Sequence, residues 1–148
     1  MDLIVKLETD QLKATRVLCV ALLAPETGNV VMAADNCKGL PPIRDAVAAI
    51  EACDGAIVCQ SRYAVDTLER LHGLQIDAER VVDLVKVAHG VRPGEPAGLD
   101  AWAARLKVAR SPFRGADALT HGVLDHCQRD ARLIGRIYKE LTKEIVIP

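Results

Sequence analysis

The chain has 148 residues, half of them hydrophobic, and a formal net charge of −1. That length suits one domain around one core, and a charge so close to zero excludes a global pull toward nucleic acid or membranes, leaving only local basic patches. Aromatic residues make up 3% of the sequence, so Ala, Val, Leu and Ile must build the core.

Leu3-Ile4-Val5-Lys6-Leu7-Glu8-Thr9-Asp10 reads as a first strand. Leu3, Val5 and Leu7 point one way, and Ile4, Lys6 and Glu8 the other. A first strand this apolar is expected at the centre of a sheet, covered on both faces. Its two charges then meet at the sheet's edge, as a solvated ion pair or as part of a cleft. Residues 16–24 read as a second strand, Pro25 to Asn29 as a turn with Gly28 free to take positive φ, and Val30 to Ala33 as a third strand. Residues 3–34 therefore predict a three-stranded antiparallel meander.

Pro41 and Pro42 open a helix that runs through Cys53, with Ile43, Val47 and Ile50 at helical spacing. Ala56 to Cys59 is expected as a buried parallel strand reached by that crossover. Residues 64–73 read as a helix capped by Gly73. Val81-Val82-Asp83-Leu84 begins an element that turns helical through His89 and stops at Gly90. Residues 92–96 link to a short helix, Leu99 to Val108, carrying the one tryptophan, Trp102. Ser111 to Gly115 reads as an exposed loop and residues 116–143 as a long helix, with an apolar stripe of Leu119, Val123, Cys127, Ile134, Ile137 and Leu141. Residues 144–148 are expected as an apolar tail, a small strand or a partner-binding segment. The whole predicts a single α/β domain over 1–148, a mixed sheet flanked by helices.

The five cysteines, Cys19, Cys37, Cys53, Cys59 and Cys127, form no CxxC pair and lie mostly within apolar runs. Reduced thiols in a cytoplasmic protein are expected, rather than a disulfide framework or a zinc site. Asp2 and Lys6 interrupt any signal-peptide core, and no apolar run is long enough to span a bilayer.

One residue breaks the long helix's pattern. Asp130 stands on its apolar stripe, three after Cys127 and four before Ile134, with His126 one turn earlier. A carboxylate there either pairs with a cation or floors a cleft, unless it sits at the stripe's exposed edge.

With these pieces in order, the chain resembles the DEDD-type 3′–5′ proofreading exonuclease domain of family A DNA polymerases, bacterial and phage, over nearly its whole length. The family's first motif, Asp-x-Glu, reads Lys6-Leu7-Glu8. Its second, Asn followed by Tyr-Asp, reads Gln60-Ser61-Arg62-Tyr63-Ala64. An intervening Asp-Thr element reads Asp83-Leu84, the Trp-bearing helix carries Trp102, and the third motif, Tyr with Asp four later, reads His126 to Asp130. The resemblance implies a ribonuclease H-like fold and a site in which four carboxylates hold two divalent metals. Here Glu8 and Asp130 stand, while Lys6 and Ala64 replace the other two.

In-line phosphodiester hydrolysis with two metals needs those carboxylates. A Lys ammonium repels a metal and is instead an internal counter-ion, expected to contact Glu8, Asp130 or both. The implied site is therefore vestigial (Lys6, Glu8, Gln60, Tyr63, Ala64, Asp83, His126 and Asp130), with no catalytic residue, cofactor or metal expected. If any metal binds, Glu8 and Asp130 are its ligands. Some members of the superfamily use a His near the last Asp as general base, one residue further away than His126, which otherwise reads as a histidine hydrogen-bonded in an old cleft.

Three functions follow. A pseudo-exonuclease, of the phage ancestry that the resemblance implies, acts by binding a protein of replication, repair or defence. Or it binds nucleic acid, with Arg62, Arg105, Lys107, Arg110 and Arg114 adding attraction, although few aromatics are available for stacking. Or it is a weak magnesium- or manganese-dependent exonuclease using Glu8, Asp83 and Asp130, with Asp66 or Asp10 swinging in. Protein binding leads, DNA binding stands next to it, and no membrane role is expected.

Overall fold

The computed structural model describes residues 1–110, 113 and 115–145. Its sheet is built outward from β1 (Leu3–Thr9), with β2 (Val17–Ala24) and β3 (Asn29–Ala33) completing the antiparallel meander. On the other edge of β1, β4 (Ile57–Cys59) and β5 (Val81–Asp83) run parallel, giving the order β3-β2-β1-β4-β5. The first strand is central, as its apolar start predicts. The crossovers that parallel pairing requires are α1 (Ile43–Ala52) and α2 (Tyr63–His72), followed by α3 (Leu84–Val91), α4 (Leu99–Leu106) and α5 (His121–Ile145).

Alternation along β1 divides the core. Ile4 packs with Cys127, Ile134 and Ile137 beneath α5, while Val5 and Leu7 pack with Ile43, Ile50, Val65 and Leu68 of α1 and α2. Ile4, Ile134 and Ile137 are fully buried, each contributing about 1.5–3 kcal/mol. A mixed sheet with helices on both faces is the arrangement expected from the order of elements, and the ribonuclease H-like one that the resemblance implies. Among the described residues no helix is long and apolar enough to cross a membrane.

Several boundaries differ from the sequence reading. α5 begins at His121, not 116, because the Thr120 hydroxyl accepts from Val123 N at 3.2 Å and caps the helix there. Glu144 and Ile145 belong to α5 rather than to a tail, with Glu144 ion-paired to Arg92. α4 stops at Leu106, since Lys107 takes a left-handed φ of 57°. Val81 to Asp83 form a strand, and the element turns helical where Asp83 Oδ1 accepts from Lys86 N at 3.1 Å. Gly73 caps α2 as expected, at φ 67°. Residues 111, 112, 114 and 146–148 lie outside the described residues, and with them Arg114, part of the loop and the end of the tail.

The start of β1 is tied to α5 by one buried contact. The Tyr138 hydroxyl donates to Asp2 Oδ2 at 2.5 Å, and Ala56 N donates to Asp2 Oδ1 at 2.9 Å. Burial, then the Asp2 carboxylate, pushes Tyr138 up to about 12, while the Tyr138 hydroxyl holds Asp2 below the usual carboxylate value. Asp2's contribution is present above its ordinary value of 3.8 and fades as pH falls. Tyr138's is complete below 10.0 and is lost as pH rises through about 12. Tyr138→Phe should cost about 1.5–3 kcal/mol in urea unfolding at neutral pH. Its deficit should shrink at both extremes, read from unfolding midpoints across pH.

Candidate functional site

β1 delivers Lys6 and Glu8 to the face covered by α5, because both share the register of Ile4. A break in the β1–β2 register between Glu8 and Thr9 follows them. α5 lies on this face through Cys127, Ala131 and Ile134, all fully buried. That seating turns His126 and Asp130, one helical turn apart, toward the charges on the strand. The segment after α4 supplies a third wall, bringing Arg110 in.

These side chains form one network. Lys6 Nζ lies 3.4 Å from Glu8 Oε1 and 3.7 Å from Asp130 Oδ2, so the expected counter-ion contact reaches both carboxylates. Arg110 grips Asp130 with a fork, Nε donating to Oδ1 and Nη2 to Oδ2, each at 3.0 Å. Its remaining nitrogen, Nη1, donates to Asp100 Oδ1 at 2.5 Å. The bonds to Asp130 come first among the causes that hold the Arg110 guanidinium above its usual range. His126 Nε2 lies 3.1 Å from Asp130 Oδ2 and 3.8 Å from Glu8 Oε1, and its ring stacks on Phe113 at 4.2 Å between centroids. Asp130 is only 2% exposed. An isolated carboxylate could not be held there, and two cations satisfy it. Glu8 Oε1 is buried and accepts no hydrogen bond among the described residues, leaving Lys6 as its ionic partner.

The other residues of the sequence-derived site have partners of their own. Gln60 Nε2 donates to Ala97 O at 2.8 Å, and its buried Oε1 has no partner among the described residues. Tyr63 and Thr9 share a hydroxyl–hydroxyl bond of 2.9 Å. Ala64 is buried in the core beside Leu7 and Val65. Asp83 caps α3 and accepts from Arg62 N at 3.2 Å. The carboxylates offered as replacements are also engaged. Asp66 pairs with Arg62 at 3.0 Å. Asp10 accepts from the Thr15 hydroxyl and amide, and the hydroxyl leads in drawing it down to about 2.

Of the basic residues, Arg62 is also within 3.7 Å of Glu69, and Arg105 sits 4.7 Å over the Trp102 ring and donates to Pro96 O. Lys107 is exposed at the end of α4. Arg110 is the functional residue whose place sequence reasoning missed: expected on the surface around the cleft, it faces into it. A buried Asp130 calls for a cation, but no spacing rule links it to a residue twenty positions earlier on an irregular segment.

Glu8, His126 and Asp130 bring three ligand atoms within 4.8 Å of one another. Yet both Asp130 oxygens are bonded to Arg110, and Lys6 stands between the two carboxylates. Two cations already balance two anions, so the residues present do not fit a pair of divalent metals bridged by carboxylates.

No family model matches the sequence, and no curated protein matches it. The fold does have solved counterparts. The nuclease domain of 3′hExo, described as a DEDDh family member bound to rAMP, aligns with a TM-score of 0.61 at 9% identity, covering 97% of this chain and 92% of that one. Exonuclease X, in complex with 5′ overhanging duplex DNA, aligns with a TM-score of 0.55 at 18% identity, covering 95% and 92%. Element order, sheet topology and these two alignments agree: this chain has the ribonuclease H-like fold of DEDD exonuclease domains.

Proposed function

We propose that this chain is a catalytically inactive exonuclease-like protein, derived from a phage or family A polymerase proofreading domain, that acts by binding a protein of replication, repair or defence. The observation that carries the reading is the pair of cations, Lys6 and Arg110, spent on Glu8 and Asp130. They neutralise the carboxylates a metal would need, and they are themselves neutralised, so the cleft offers phosphate little net attraction. Aromatic platforms for bases are also few: Trp102 is 2% exposed and Phe113 is stacked on His126, which leaves the Tyr63 ring, 37% exposed. Both points favour a protein partner over DNA.

The second reading, a weak metal-dependent exonuclease, draws on the closeness of Glu8, His126 and Asp130. Calorimetric titration with manganese and with magnesium, beside an assay on a 3′-labelled strand, separates the two. No saturable heat and an intact strand are expected. Saturable binding at micromolar metal, with shortening from the 3′ end, would establish the enzyme instead. A salt-dependent gel shift on single-stranded DNA would favour nucleic acid as the partner.

A further inference from the structure

Beside the cleft, whose outer pocket Arg132 and Arg136 also line with Arg110, His126 and Asp130, α5 turns a second surface outward. Arg132, Arg136 and Lys139 are exposed, and steps of four and three residues place them within about 60° of one another on the helix. Lys143 extends the row, and the span from Arg132 to Lys143 is about 16 Å. Among the described residues none of Arg132, Arg136 and Lys139 has an ion-pair partner, whereas Lys143 pairs with Glu140 at 3.2 Å. Three unneutralised cations in line stand out in a chain with formal net charge −1.

The row borders a groove of about 970 Å³ between α5 and the β2–β3 turn. Leu23, only 4% exposed, Pro25 and Gly135 line it together with the carboxylates of Asp2 and Glu26, and none of Lys6, Glu8, His126 and Asp130 does. Its walls are tied together, since Arg132 Nη1 donates to Gly28 O at 3.2 Å. Gly135 lets the helix sit close on the sheet here: a Cβ at that position would lie 2.8 Å from Leu23 Cδ2.

We infer that this groove binds an acidic amphipathic segment of a partner protein, its apolar side chains on Pro25 and the aliphatic stems along the groove and its carboxylates on Arg132, Arg136 and Lys139. Charge complementarity requires an anionic occupant. The apolar lining selects a peptide over a nucleic acid, whose bases would need aromatic faces to stack on. Tyr138 is the one aromatic residue in the groove, and its hydroxyl is held by Asp2. The site names a partner surface for the binding protein proposed above and rests on that reading.

The test uses fluorescence anisotropy on the full chain. Three probes are compared: a labelled synthetic three-turn helix with leucines on one face and glutamates on its flanks, the same helix with glutamines for the leucines, and oligothymidylate of similar charge. The leucine probe should bind best. Arg132→Glu/Arg136→Glu/Lys139→Glu should weaken it roughly tenfold or more, with rising salt acting in the same direction. Unchanged circular dichroism melting would show that this variant, altered only at exposed positions, is folded. Equal binding of both peptides, tighter binding of the oligonucleotide, or no loss in the variant would each overturn the inference. Nuclease activity in the parent chain would instead remove the inactive reading while leaving the peptide result to stand on its own.

Discussion

Arg110→Ala should destabilise the protein by about 3–5 kcal/mol, because it strips both hydrogen bonds from a buried carboxylate. Asp130 would keep Lys6 at 3.7 Å and His126 at 3.1 Å, neither of them a forked partner. Urea unfolding should show the loss as a lower midpoint with an unchanged slope. Asp130→Asn in the same background should recover much of it, since a neutral amide tolerates the site better than an unpaired charge. A double-mutant cycle would isolate the pair's coupling. Near-neutral behaviour of Arg110→Ala would mean that the fork is not what holds Asp130, and with it would go the account of the cleft as internally neutralised.

Lys6→Asp/Ala64→Asp should create a divalent-metal site. The first change removes a cation from between Glu8 and Asp130 and supplies a carboxylate; the second adds an acid at the start of α2, where the exonuclease pattern that the sequence resembles carries one. Without metal the variant should melt below the parent, because like charges now crowd one end of the sheet and Ala64 leaves the core. Manganese should then raise its stability with concentration, by about 2.7 kcal/mol at a hundredfold excess over Kd, with no comparable shift in the parent. Calorimetric heats that saturate in the variant alone would assign the lost metal affinity to these two positions. Equal metal binding in the parent would place the cations Lys6 and Arg110 outside the cause.

Much of the fold was legible because its signals are local. The alternation of Leu3 to Glu8 already placed Ile4, Lys6 and Glu8 on one face, and the helical spacing of Cys127, Ile134 and Ile137 already seated Asp130 on a buried stripe. Glycine and proline punctuated the remaining elements, and the errors fell at ends where a cap or a left-handed residue decides, at Thr120 and Lys107. The contact of Lys6 with Glu8 and Asp130 was also foreseeable, since one strand and one helix face suffice to bring them together.

The sequence by itself therefore determined the central strand and the layering of helices on the sheet, because periodicity and residue type act within a few neighbours. Only the tertiary structure decided that Arg110 completes the neutralisation of Asp130, that Asp83, Asp66 and Asp10 are bound to other duties, and that the outer face of α5 borders a groove. Those facts depend on where irregular segments cross in space, and a pairing between residues far apart in sequence leaves no period to read.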